Sequence, residues 1–396
     1  MEHKYSKRAD YLVPSAIREL TAFASNPGVT SFGGGSPDPA SFPIEEIRVA
    51  TDKVLREHGK VALQYNTTEG INDLRDIIIE QMAEAGVPGL KRENILVTNG
   101  SQQVLDFLGR LYIDDGDLVC VENPSYQGAI NAFAAFGAKY ITIDTDEEGM
   151  RADLLDKALS EHDNVKFIYT VPTYQNPTGR VMSQKRRQEI LAVAVKHGIP
   201  LVEDDPYSAL YFEGERELPI KHYDKDGTVI YLGTFSKTFC AGLRIGWVVA
   251  DPGPIRKFTI IKQSTDLHTS ALSQMVLAEF IHSNDWEAHV AFVRDLYRRK
   301  RDLLMARIKE CFPSNVSCTY PHGGLFAWCD LPENVNAEEV LKVAKEKNLC
   351  FLPGTSFYAN GGHYNHIRLS YGTCTEQQIH DGIKLMGDIL KEFCGE

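Results

Sequence analysis

From residue 44 onward, stretches with helical spacing of apolar residues alternate with short apolar runs. Residues 44–58 and 71–85 repeat their apolar positions every three or four residues, which predicts two amphipathic helices. Residues 94–98 (NILVT), 118–121, 166–171 and 199–202 are apolar runs bounded by turn-forming residues, and each predicts a buried strand. Helical stretches follow the first three, beginning at Ser101, after Pro124 and at Ser183. Strands and helices alternating at this pace predict an α/β fold with a mostly parallel sheet covered on both faces. Two more apolar runs, 229–232 and 245–250, enclose the loop GTFSKTFCAGLRIGWV (233–248).

The pattern changes near residues 283–286. Residues 286–311 read as one long basic helix, whose segment RDLYRRKRDLL (294–304) is expected to be a solvated face rather than a nucleic-acid patch. Strand-like VSCTY and GLFAWCDL follow, then a helix over 337–347, the apolar segment HIRLS (366–370) and a last helix over 376–393. This predicts three parts: an arm (1–44), a large α/β domain (45–283) and a small α+β domain (284–396). In the arm, residues 14–24 predict a short helix with Arg18 on one face. SFGGGSPDPASFP (31–43) follows, where Gly33, Gly34 and Gly35 allow backbone to approach a ligand closely.

Composition narrows the function. A chain of 396 residues suits two domains, and 43% hydrophobic with 24% charged residues is the balance of a soluble globular protein. The net charge of −12 argues against nucleic acid or an anionic membrane as partner. The eight cysteines are scattered, with no CxxC pair and no histidines at zinc spacing, so reduced thiols, a cytoplasmic location and no metal are expected. No apolar run reaches membrane-span length, and the first residues lack the apolar core of a secretory signal.

The candidate chemistry collects at the carboxyl ends of the predicted strands, where open α/β sheets bind ligands. Lys237 stands among Thr234, Ser236 and Thr238, and Arg244 lies at the edge of the next apolar run. A ligand carrying a phosphate and an aldehyde would use all of these groups, the aldehyde forming a Schiff base with Lys237. A solvated loop lysine and a salt-bridged arginine are the plain alternative, and this stretch alone leaves both open. Ser101 begins a helix after an Asn-Gly turn, a geometry that binds anions as well as caps the helix. Asp204 follows an apolar strand and needs a cation or donor, such as a pyridinium nitrogen. Tyr207 and Asn176 can donate to an oxygen on the same ring, and Tyr126 offers a face for stacking. Arg368, in the middle of HIRLS, is either half of a buried ion pair or a ligand clamp.

Taken in order, NGSQQ (99–103), PTYQNPTG (172–179), EDDPY (203–207), FSK with GLRIG (235–246) and HIRLS (366–370) resemble the fold-type I pyridoxal-phosphate aminotransferases over nearly the whole chain. IREL (17–20), SFGGGSPDPASFP and GGLFAW (323–328) are most similar to the 2-aminoadipate, kynurenine and aromatic aminotransferase branch. The resemblance implies pyridoxal 5'-phosphate as cofactor and a ping-pong transfer of an amino group from a dicarboxylic or aromatic L-amino acid to a 2-oxo acid such as 2-oxoglutarate. It implies that Lys237 forms the internal aldimine, that Asp204 pairs with the ring nitrogen, and that Tyr207 and Asn176 pair with the ring oxygen. Tyr126 would stack on the ring, and Ser101, Gln102, Ser236 and Arg244 would hold the phosphate, helped by Tyr65 of a partner subunit in a homodimer. Arg368 would take the substrate carboxylate beside Gly35 and Asn176, with Arg18 toward the distal end of dicarboxylic substrates. Ser36 departs from the apolar residue usual in this branch and bears on side-chain specificity. A C–S β-lyase shares these residues. A regulator with a DNA-binding domain is disfavoured, since only about forty residues precede the predicted large domain.

Overall fold

The computed structural model describes residues 4–12, 20 and 22–395. Its strands in chain order are β1 (Thr30–Ser31), β2 (Ile95–Thr98), β3 (Leu118–Asn123), β4 (Lys139–Asp146), β5 (Gly149–Met150), β6 (Val165–Thr170) and β7 (Leu201–Asp204). They continue with β8 (Val229–Thr234), β9 (Gly246–Val249), β10 (Ser317–Cys318), β11 (Phe326–Asp330), β12 (Leu349–Cys350), β13 (Leu352–Pro353) and β14 (His366–Ser370). Eight of them form one sheet in the order β2-β9-β8-β7-β6-β3-β4-β5. The central pairs β3–β4, β3–β6, β6–β7 and β7–β8 are parallel, whereas β9 runs antiparallel to both β2 and β8. Every residue of β2, β7, β8 and β9 is buried, so β2, β8 and β9 carry no alternation of apolar and charged residues, whereas β7 buries Glu203 and Asp204 after its apolar start.

Helices Ser101–Tyr112, Gln127–Ala134 and Gln184–His197 connect these strands, as the alternating pattern predicts. The pattern passes over β4, of whose eight residues only Ile143 is fully buried. A strand near a sheet edge, half in water, carries neither a continuous apolar run nor a clean alternation.

A second, four-stranded sheet, β10-β11-β14-β13, is antiparallel. Its strand β14 lies between β11 and β13, so Arg368 faces Trp328 on one side and Leu352 on the other. The short pair β1–β12 fastens residues 30–31 to this half of the chain. Helix Trp286–Cys311 begins at Asp285, whose side chain accepts from the Ala288 amide. The expectation of a solvated basic face fails in part. Lys300 and Arg301 are buried, the first against Asp38 and the Gly372 carbonyl, the second against Glu213 and the Pro321 carbonyl. The reason is helical spacing: both fall on the stripe of Val293, Tyr297 and Leu304, where long aliphatic stems pack and charged heads reach partners.

The cysteine reading also needs correction. Cys318 and Cys329 are direct cross-strand partners on β10 and β11, with Cα atoms 4.1 Å apart, and form a disulfide. Spacing alone does not reveal this pair, because hairpin register brings them together across eleven residues. The predicted helix over 14–24 lies largely outside the described residues, as does Arg18. Among the described residues no helix is long and apolar enough to cross a membrane, and no cluster of metal-binding side chains occurs.

Candidate active site

A cavity of about 370 Å³ opens at the carboxyl ends of β7 and β8 and reaches across to β14. The turn after β8 carries Lys237, whose Nζ donates to the Gly35 carbonyl at 2.8 Å. Burial lowers its pKa to about 8, and the guanidinium groups of Arg368 and Arg244 act in the same direction. A lysine in this state is both a nucleophile and a proton acceptor near neutral pH. Thr234 holds the turn in shape: its hydroxyl accepts from the Ser236 amide at 3.1 Å and bonds the Ser236 hydroxyl at 2.9 Å.

One end of the cavity is built for an anion. Helix Ser101–Tyr112 starts there with Gly100 as its N-cap, so Ser101 is the first helical residue rather than the cap, and no side chain caps the helix. Its amide end and dipole point outward. Arg244, in the left-handed conformation with φ 56°, donates among the described residues only to the backbone carbonyls of Ala241 and Asn99. A Cβ at Gly246 would stand 2.6 Å from the Gly100 carbonyl carbon and the Ser101 nitrogen, so glycine lets the strand touch the helix start. Gln102 and Ser236 line the same end.

The middle of the cavity offers an unpartnered acceptor beside aromatic side chains. Asp204 ends β7 and is buried. Its Oδ2 accepts from the Tyr169 hydroxyl at 2.7 Å, while Oδ1 has no partner among the described residues. Burial pushes this carboxyl up to about 7, with Tyr169 opposing the rise. An unpartnered buried carboxylate oxygen requires a positively charged or N–H donor. Tyr207 and Asn176 line the cavity beside it, both buried, with Tyr126 across from them, its hydroxyl pushed up to about 12 by burial.

The far wall is Arg368, 1% exposed. Its Nη1 donates to Asn176 Oδ1 at 2.9 Å and its Nη2 to the Gly33 carbonyl, and its guanidinium stacks 4.3 Å from the Phe326 ring. Nε has no acceptor among the described residues. Burial lowers the guanidinium's pKa to about 10. A fully buried cation held, among the described residues, only by neutral acceptors is suited to take a carboxylate. This geometry therefore favours the clamp over the ion pair.

The structure thus gathers Gly35, Ser101, Gln102, Tyr126, Asn176, Asp204, Tyr207, Ser236, Lys237, Arg244 and Arg368 around one cavity. Ser36 lines it as well. Tyr65 is not among them; it is 78% exposed and rests edge-on to His268. Sequence reasoning missed Tyr169 and Phe326. Tyr169 pairs in register with Val202, two residues before Asp204, which puts it on the same sheet face as the carboxylate. Only the β6–β7 register discloses that neighbour.

An enzyme that combines a phosphate-type anion, a ring cation, an amine and a carboxylate in one cavity of a mostly parallel sheet is the class these observations define. The chain belongs to the family of class I and II aminotransferases, whose model matches residues 28–384. It is 39% identical over 395 residues to an aromatic-amino-acid aminotransferase of Thermococcus litoralis, covering 99% of this chain and 95% of that one. It is likewise 39% identical over 392 residues to a 2-aminoadipate transaminase of Thermus thermophilus, covering 98% and 96%. A crystal structure of Pyrococcus horikoshii kynurenine aminotransferase superposes with a TM-score of 0.93 at 39% identity, covering 98% and 97%.

Proposed function

We propose that this aminotransferase binds pyridoxal 5'-phosphate through Lys237 and moves amino groups between a dicarboxylic or aromatic L-amino acid and a 2-oxo acid such as 2-oxoglutarate. The observation that carries the reading is Lys237, its pKa lowered to about 8, standing in one cavity with the unpartnered Asp204 Oδ1 and with Arg244. When bound, the cofactor supplies the electron sink that stabilises negative charge at the substrate Cα. Asp204 Oδ1 would hold the ring nitrogen protonated, Tyr207 and Asn176 would donate to the ring oxygen, and Tyr126 would offer its face to the ring. Ser101, Gln102, Ser236 and Arg244 hold the phosphate. Arg368 would orient the substrate by its α-carboxylate, with Gly35 and Asn176 beside it, and Lys237 Nζ, placed in the same cavity, would be the group that takes up the Cα proton. The substrate class follows the relatives' names; the cavity's own contribution is the pairing of Arg368 with the aromatic wall of Phe326.

A homodimer belongs to the same reading. Leu63 and Tyr65, at 72% and 78% exposure, follow the helix Ile44–Ala62 with its exposed Leu55 and Val61, an apolar surface suited to a second copy. In that arrangement Tyr65 serves the phosphate of a partner subunit rather than its own.

The test is borohydride reduction of the holoenzyme followed by peptide mapping, together with a screen of amino donors against 2-oxoglutarate. Label on Lys237 and accumulation of pyridoxamine phosphate with donor alone are expected. Label on another lysine, or release of ammonia and a 2-oxo acid without pyridoxamine phosphate, overturns the proposal.

A further inference from the structure

We infer that Tyr169 is a positioning residue for Asp204: its hydroxyl fixes one carboxylate oxygen and so leaves the other facing the cavity as an anion. This rests on the cofactor reading above and adds a residue to it. Tyr169 is fully buried on β6, and its ring packs edge-on to Phe133 at 5.7 Å. Its hydroxyl donates to Asp204 Oδ2 at 2.7 Å. A phenylalanine would fill the same apolar space, so the ring's packing does not call for a hydroxyl. The bond to the carboxylate does.

Two consequences follow from the geometry. First, a carboxylate on a short side chain can rotate about its last bond. Tying Oδ2 to a residue on the neighbouring strand, itself clamped in register opposite Val202, removes that freedom and leaves Oδ1 as the acceptor for a ring N–H. Second, a hydroxyl donor stabilises the ionised carboxylate, against burial and against Asp205, the next residue in the chain. The other titratable groups that face Asp204 are Lys237 from the turn after β8, Tyr126 after β3, and Tyr207. Of these Lys237 is the cation, and it is the group committed to the cofactor, so Tyr169 is the permanent donor that keeps Asp204 charged.

Removing the hydroxyl therefore moves the Asp204 pKa upward. Asp204 works as an anion, so activity in the variant requires a higher pH. The experiment compares wild-type, Tyr169→Phe, Tyr169→His and Asp204→Asn holoenzymes by kcat and KM across pH, by pH titration of the bound cofactor's visible absorbance, and by borohydride labelling. In Tyr169→Phe, Lys237 is labelled as in wild type. The acid limb of the kcat profile moves up by about one pH unit or more, the size of a hydrogen bond to a charged acceptor. The absorbance titration moves with it, KM changes less than about threefold, and the rates of variant and wild type converge at high pH. The histidine variant, which offers an N–H donor, keeps its acid limb nearer that of wild type. Adding Tyr169→Phe to Asp204→Asn costs little more, because the charge it served is gone.

A uniform loss at every pH, or equal shifts in the phenylalanine and histidine variants, assigns Tyr169 to packing and overturns the inference. The outcome that sinks the cofactor reading is different: no label on Lys237 in wild type, or full activity in Asp204→Asn. Should the phenylalanine variant not fold, Tyr169→Met is the donor-free counterpart to Tyr169→His, and the same comparison decides.

Discussion

Replacing Arg368 by methionine separates binding from stability. The native guanidinium is held by Asn176 Oδ1 at 2.9 Å, by the Gly33 carbonyl and by the faces of Phe326 and Phe357 at 4.3 and 5.0 Å. Two hydrogen bonds from a charged donor contribute about 1.5–3 kcal/mol each, and the aromatic contacts add to them. Against this stands the desolvation of a charge, an effective penalty of several kcal/mol. The terms nearly cancel, so Arg368→Met should shift the unfolding free energy by about 2 kcal/mol or less in either direction. Substrate binding has no such cancellation. Losing one partner of a buried, hydrogen-bonded charge pair costs about 2–5 kcal/mol, which is roughly thirty-fold to several thousand-fold in kcat/KM. Because every substrate presents the same α-carboxylate, glutamate, 2-aminoadipate and phenylalanine should lose alike, to within about threefold. The assays are steady-state kinetics with the three donors and urea denaturation of the same preparations. A loss below tenfold, or one confined to a single donor, returns Arg368 to the role of a structural cation. So does a stability loss large enough to account for the missing activity.

Four other outcomes are expected. Lys237→Ala removes both attachment point and proton carrier, so transamination should fall by far more than the ~10²–10⁴ of a general base alone, and borohydride should label no other lysine. With its pKa lowered to about 8, Lys237 is neutral in about a tenth of molecules at pH 7 and most of them above pH 9. Cofactor uptake by the apoenzyme, followed by absorbance, should therefore rise through pH 8 and level off, and a rise centred near 10 contradicts the buried setting. Asp204→Asn should retain cofactor but slow the half-reaction much more than it weakens cofactor binding, and activity within a few-fold of wild type would move the role to Asp205. Arg18→Ala should weaken glutamate and 2-aminoadipate by an order of magnitude or more, from the ~1.5–3 kcal/mol of a charged hydrogen bond, while sparing phenylalanine. Equal losses for all three donors make Arg18 structural.

What the sequence disclosed, and what it withheld, follows from the range of the interactions involved. Asp204, Lys237 and Arg244 are legible because each interrupts or borders an apolar run, and a charge at the end of a buried strand must have a purpose. Arg368 is legible as an anomaly, but only its neighbours in space distinguish a clamp from an ion pair. Asn176 and Gly33 supply neutral acceptors, Phe326 and Phe357 supply aromatic faces, and among the described residues no carboxylate takes part. Lys300 and Arg301 show the opposite error. They look like part of a solvated basic run, and helix phase buries them beside Tyr297 and Leu304. The Cys318–Cys329 bond and the Tyr169–Asp204 contact lay out of reach for one shared reason: each depends on strand register, which a single chain of letters does not specify. Register also explains why Asp204 was found and Tyr169, which donates to it, was not. Asp204 announces itself by charge, whereas Tyr169 is an aromatic residue in an apolar strand, indistinguishable from core until its neighbour on β7 is known.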